Sequence, residues 1–109
     1  MENRFRLPFK IKEHSDERGF SFYLDAGLKN FHIVSIKPGC IRGNHSHSYN
    51  EVAIVLGGKE AALIEIQVEG EWNSFVADQD FYPVFFPASL KHKIQNIGKR
   101  EFFLVCFQY

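Results

Sequence analysis

The chain has 109 residues, with thirteen basic and thirteen acidic side chains and a formal net charge of zero. That length predicts one domain over residues 1–109, large enough for a core and too small for two. No lysine or arginine cluster dominates, which argues against nucleic acid or an anionic membrane as the main partner.

No apolar run approaches the length of a transmembrane helix. The charged N-terminal segment lacks the apolar stretch of a secretory signal. The expected setting is therefore a reducing cytoplasm in which Cys40 and Cys106 are free thiols. Cys106 lies in an apolar run and reads as core. Cys40 adjoins a histidine-rich segment and reads either as a small buried residue or as a reactive, metal-near thiol.

In chain order, the apolar runs are short and closely punctuated. Residues 31–36 form the first, closed by Pro38-Gly39. The segment Gly39-Cys-Ile-Arg42-Gly-Asn-His45-Ser-His47-Ser-Tyr49-Asn-Glu51 comes next, then a run at 52–56 that ends at Gly57-Gly58. In the run 63–68, Ile64, Ile66 and Val68 alternate with Glu65, Gln67 and Glu69, the pattern of a strand with one wet face. Glu69-Gly70 and Asp78-Gln-Asp80 set off two further runs, at 72–76 and 82–86. The last run, 102–107, is apolar on both faces. It predicts a strand covered on both sides, on one of them by a second subunit, and hence a homodimer. Short β-prone runs at close turn spacing, without sustained helical periodicity, predict an all-β antiparallel sandwich or barrel. The twelve phenylalanines are expected to supply most of its core.

Side chains alternate along a strand, so His45 and His47 project from one face if they share a strand. Glu51 joins them if that strand continues. Two imidazoles and a carboxylate are three of the ligands a divalent transition metal needs, and His92 is the fourth candidate. Such a set suits iron, manganese, nickel, zinc or copper. The plainer readings are solvent-facing loop histidines for His45 and His47, a strand carboxylate for Glu51, and a polar strand face for His92. His14 and His32 belong to no motif and read as surface or packing residues. Asn96 reads as a turn or hydrogen-bonding residue. Tyr49, Tyr82 and Trp72 either stack on sugar rings at a pocket mouth or pack at the barrel rim.

These residues fall into a known pattern. Gly39-x5-His45-x-His47-x3-Glu51-x6-Gly58 resembles the first cupin motif, spanning residues 39–58. Pro87-x-Ser89-x2-His92-x3-Asn96 resembles the second, at 87–96, with Ser89 where Gly is usual. A Gly expected near Phe81 is absent. The resemblance implies a double-stranded β-helix, the conical jelly-roll barrel of the cupins. It also implies that His45, His47, Glu51 and His92 point inward and hold one metal ion.

Asp16-Glu-Arg18-Gly19-Phe20 and Ile41-Arg42-Gly-Asn-His45-Ser-His47 are similar to the sugar-nucleotide branch of that superfamily, the deoxysugar 3,5-epimerases and 3,4-ketoisomerases. The likeness implies a metal-free enzyme with His45 as base, His47 beside it as a second catalytic histidine, and Arg42 and Arg18 near a nucleotide. Glu51 and His92 depart from that pattern, since a metal-free base needs neither.

Three functions follow. One is a metal-dependent cupin, an isomerase or dioxygenase, acting on a carbohydrate-like or sugar-nucleotide-like molecule. The second is a metal-free epimerase or ketoisomerase in which His45 removes a proton beside a carbonyl. The third is a non-catalytic small-molecule binding module.

Overall fold

Ten strands follow one another in the computed structural model, which describes residues 10–25 and 27–109. They are β1 (Ile11–Asp16), β2 (Gly19–Leu24), β3 (His32–Ile36), β4 (Ile41–His45) and β5 (Glu51–Leu56). The second half holds β6 (Ala62–Val68), β7 (Glu71–Val76), β8 (Phe81–Phe86), β9 (His92–Asn96) and β10 (Phe102–Gln108). All pairings are antiparallel, in a six-stranded sheet of order β1-β2-β3-β10-β5-β8 and a four-stranded sheet of order β4-β9-β6-β7. The all-β expectation holds. Among the described residues no helix is long and apolar enough to cross a membrane.

The six apolar runs of the sequence became β3, β5, β6, β7, β8 and β10. Strands β1, β2, β4 and β9 lay outside those runs, since polar residues and glycine make up more of them. Pro83 sits in β8, an edge strand, where its missing N–H interrupts no interior ladder. The β1–β2 hairpin closes on Asp16-Glu17-Arg18-Gly19, with the Asp16 carboxylate accepting from the Arg18 backbone N–H at 2.9 Å. A Cβ on Gly19 would lie 2.2 Å from Ser35 Oγ, so only glycine lets β2 approach β3 here.

The core lies between the inner faces of the two sheets. Ile36, Val55 and Phe102 of the large sheet meet Ala62, Ile64 and Ile94 of the small one, all but removed from solvent. Fully burying one such large side chain contributes about 1.5–3 kcal/mol. Asn96, at 0% exposure, donates from Nδ2 to the Ile36 and Arg100 carbonyls and accepts from the Gly98 N–H through Oδ1. It is the hydrogen-bonding residue the sequence suggested. Burial fades along β6 from Ile64 to Val68, which is 42% exposed, so the sheets part at that end.

The phenylalanines depart from expectation. Of the described ones, only Phe86 and Phe102 belong to the buried core. Phe20, Phe22 and Phe103 instead cluster on the outer face of the large sheet, with ring centroids 4.8 and 5.5 Å apart. Phe31 stacks on Phe107, and Phe81 and Phe85 project from β8 with 62% and 48% of their surface exposed. Strand alternation explains this: β10 buries Phe102, Leu104 and Cys106 and turns Phe103, Val105 and Phe107 outward. Among the described residues no strand covers the outward side of β10.

Candidate metal centre

The site forms where the chain crosses from one sheet to the other. His45 is the last residue of β4 and pairs directly with His92, the first of β9. Between Gly43 and His45 the register shifts by a β-bulge, with Asn44 in the left-handed region at φ 64°. Gly43 has φ 95°, and a Cβ there would sit 2.9 Å from the His92 carbonyl oxygen. The Gly-Asn pair thus supplies the two conformations the bulge needs, and the bulge re-aims His45. His47 lies in the crossing loop, held by its carbonyl accepting from Ser89 N–H at 2.7 Å. Ser89 has φ 70°, the conformation that explains the usual glycine at this motif position. Glu51 then opens β5, in the other sheet.

His45, His47 and Glu51 therefore do not share a strand, contrary to the alternation argument. Tertiary structure brings them together by another route. One ligand atom from each of His45, His47 and His92 lies within 4.8 Å of the others. Glu51 reaches two of them, with Oε1 3.5 Å from His92 Nε2 and Oε2 3.6 Å from His47 Nε2.

Burial differs across the four. His92 and Glu51 are each 5% exposed, His47 is half-buried, and His45 is exposed at the rim. The His92 ring stacks on Phe86 with centroids 4.1 Å apart and planes 7° from parallel. Its Nδ1 is buried without a hydrogen-bond partner. His47 stacks on Tyr49 at 4.7 Å. Burial, and then the neighbouring His47 and His92, hold the His45 imidazolium below the usual range; burial does the same to His47. Burial pushes the Glu51 carboxyl up, but the contact with His92 and the charges of His47 and His92 outweigh it and hold it below the usual range. His45 and His47 are thus biased toward the neutral imidazole and Glu51 toward the ionised carboxylate, the forms in which these groups bind metal.

The donor set fits a divalent transition metal. Bonds of about 2.1 Å separate neighbouring ligands by about 3.0 Å in octahedral and about 3.4 Å in tetrahedral geometry. The 3.5 and 3.6 Å separations from Glu51 lie close to these values, and imidazole nitrogens up to 4.8 Å apart would have to turn inward to share one ion.

These side chains line a cavity of about 160 Å³. Its floor is apolar, with Ala53, Phe86, Ile94, Leu104 and Cys106. Its mouth carries Tyr23, Asn30, His32, Arg42 and Tyr49. The cavity thus includes Cys106, whose thiol burial pushes up, and not Cys40, which is half-buried against the edge of the core. His32 was assigned no site role from sequence, yet it lines the mouth, stacked on Tyr23 at 4.9 Å and with Nδ1 2.6 Å from the Asn30 carbonyl oxygen. Tyr23 and His32 are direct register partners on β2 and β3, a pairing that no local motif announces.

The other candidates divide. Arg42 lines the cavity, but its Nε donates to the Ser35 carbonyl at 3.1 Å and its Nη2 to the Phe20 carbonyl at 3.2 Å. It ties the small sheet to the large one. Tyr49 lines the cavity, and burial, then the Glu51 charge, push its hydroxyl up. Arg18 does not line the cavity: its guanidinium is committed to Asp16, whose carboxyl it holds far below the usual range. Trp72 sits under Lys93 Nζ at 4.3 Å, and Tyr82 packs against the core; neither borders the cavity. His14 is exposed, 3.5 Å from Asp16.

Residues 14–109 match the family model described as the polysaccharide biosynthesis C-terminal domain. No curated protein matches the chain. Among solved structures, the capsular polysaccharide assembling protein CapF from Staphylococcus aureus superposes with a TM-score of 0.76 at 21% identity, over 99% of this chain and 30% of CapF. Oxalate decarboxylase from Bacillus subtilis gives 0.71 at 24% identity, over 91% of this chain and 27% of that one. A chain of the Drosophila melanogaster CENP-C–CAL1 complex also gives 0.71, at 14% identity, over 91% of this chain and 76% of its own length. The chain spans less than a third of CapF and of the decarboxylase. At such identities the likeness establishes the fold. This chain has the cupin jelly-roll fold and belongs to the polysaccharide biosynthesis C-terminal domain family.

Proposed function

We propose that this chain is a cytoplasmic metal-binding cupin that holds one divalent transition ion through His45, His47, Glu51 and His92. Its cavity takes a small carbohydrate-like or sugar-nucleotide-like molecule. The observation that carries the reading is the convergence of three imidazoles within 4.8 Å, with a buried carboxylate at 3.5 and 3.6 Å from two of them. The carbohydrate class draws on the family's description and on the likeness to a capsular polysaccharide assembling protein.

Bound at this site, the ion supplies Lewis acidity toward an oxygen of the ligand. The chain's own residues do the rest. Phe86 fixes the His92 ring plane, and the apolar floor excludes water beneath the site. Tyr49 and Tyr23 offer flat faces at the mouth, and Arg42 keeps donors free beyond its two carbonyl bonds. Elemental analysis of protein purified without an affinity tag tests the reading. Near-stoichiometric metal in the wild type and little in His47→Ala supports it; negligible metal in both, after reconstitution with each candidate ion, removes it.

The second reading is a metal-free epimerase or ketoisomerase with His45 as base. It draws on the rim position of His45 and on its imidazole being held neutral. Turnover of a nucleotide-linked ketosugar by metal-stripped protein, lost in His45→Asn, would favour it over the first.

A further inference from the structure

The metal cavity continues into a second, larger cleft of about 640 Å³. Strands β1 and β2, Lys10 just before them and the connection from β2 to β3 border it, with no residue of the small sheet among them. Six strands face four in this molecule, and here the large sheet has no opposing layer. Tyr23 and Asn30 border both spaces and form the threshold between them.

One register row runs through both. Lys12, Tyr23, His32, Cys106, Ala53 and Val84 are successive cross-strand partners from β1 to β8, and residues directly opposite share a face. Along that row the buried apolar floor gives way to half-buried His32, then to Tyr23 at 47% exposure and to exposed Lys12. His32 has a fixed polarity. Its Nδ1 meets the Asn30 carbonyl, which can only accept, so the neutral ring carries its lone pair on Nε2. A ligand lying along this strip finds a hydroxyl acceptor at His32, a flat ring at Tyr23, and then ammonium groups.

Lys10, Lys12 and Lys29 line the cleft against a single carboxylate, Asp25, in a chain whose formal net charge is zero. Backbone bonds hold the segments that carry them: Asp25 N–H donates to the Lys10 carbonyl at 3.1 Å, and Gln108 N–H to the Lys29 carbonyl at 2.8 Å. A cleft with an excess of one sign concentrates the opposite ion. Neither Arg18 nor Arg42 borders it.

We propose that this cleft is an anion subsite, which takes a phosphate or carboxylate substituent on the sugar whose ring lies over His32 and Tyr23. The shared chemistry is a compact oxyanion held by Lys10, Lys12 and Lys29. The sugar ring rests on the carbohydrate reading above; the anion subsite stands on the cleft alone.

Titration calorimetry with glucose, glucose 1-phosphate, glucuronate and inorganic phosphate tests it. One or both acidic sugars should bind about 10-fold more tightly than glucose, as expected for a hydrogen bond to a charged group. The tighter of the two identifies phosphate or carboxylate as the source. Lys12→Gln/Lys29→Gln, at two exposed positions, should remove that advantage while leaving metal content and circular dichroism unchanged. Lys99→Gln, on the exposed loop between β9 and β10, should change nothing. Phosphate binding should survive in His47→Ala, which separates the subsite from the metal centre. Phosphate bound by wild type and lost in the lysine variant, with no sugar bound, keeps the subsite and removes the carbohydrate reading. The proposal is overturned if the acidic sugars and phosphate bind no better than glucose, if the lysine variant binds them as wild type does, or if Lys99→Gln weakens them equally.

Discussion

At the scale of single residues, the candidate centre makes stability depend on pH in a definite direction. His45 and His47 bind protons less readily in the fold than in the unfolded chain, because burial disfavours the imidazolium. Unfolding therefore takes up protons as the pH falls through the ordinary imidazole range near about 6.5, and stability drops from there down to the lower folded values. Glu51 acts in the same sense further down: its stabilising ionised form is lost as pH falls through its depressed folded value. Metal-free protein should thus lose thermal stability between about pH 7 and pH 5. The slope should flatten in His45→Gln/His47→Gln, as a melting series across that range would show. The thiols offer a second check. Burial pushes the Cys106 thiol far up, whereas Cys40 is only half-buried. A thiol reagent at neutral pH should titrate one cysteine in the native protein and both after denaturation, with Cys40→Ser abolishing the native reaction.

At the scale of elements, the β4–β9 pairing sets the geometry of the centre. A methyl group on Gly43 meets the His92 backbone at 2.9 Å and demands a positive φ that alanine disfavours. Gly43→Ala should cost about 1–3 kcal/mol of stability and lower metal affinity at least 10-fold by parting His45 from His92. Denaturant melts with and without metal would show both effects. Arg42 poses a sharper question, since its two backbone carbonyl bonds give it a structural role whatever the ligand. Arg42→Ala should cost about 1–3 kcal/mol. Arg42→Lys should not restore it, because an ammonium cannot span both carbonyls as a planar fork does. If nucleotide sugars raise the wild-type melting temperature, comparing that rise in Arg42→Lys separates ligand contact from sheet bridging. Arg18 makes no such claim. Its guanidinium closes the β1–β2 hairpin, so Arg18→Ala should leave any ligand-induced shift unchanged.

At the scale of the whole molecule, the four candidate ligands come from both sheets, so a bound ion would clamp one layer to the other. An ion at 100 times its dissociation constant stabilises the fold by about 2.7 kcal/mol through linkage. Metal should therefore raise the melting temperature, and a chelator should reverse the rise. His92→Ala should abolish that response while also loosening the stack on Phe86. The apolar floor and aromatic mouth of the cavity belong to this scale too, since five strands of the large sheet and two of the small one border it.

Much of this was legible in the chain itself. Alternating apolar runs between turn residues sufficed for an all-β fold, because strand periodicity is local. His45, His47, Glu51 and His92 could be singled out because ligand chemistry resides in residue type and motif spacing. The reason given for their convergence was wrong: a shared strand face would have placed three of them in one sheet, whereas the chain turns after His45 and Glu51 opens a strand in the other. Nor does alternation say which side of a strand is inside when both sides are apolar, as in β10, so the phenylalanines were assigned to a core that mostly excludes them. Tyr23 and His32 joined the cavity through register between distant strands, and Arg18 left it for an ion pair two residues away. Local pattern determined the strands and the chemistry. Only the crossing of the chain between two sheets decided which faces meet, because facing is a relation between elements and no single segment carries it.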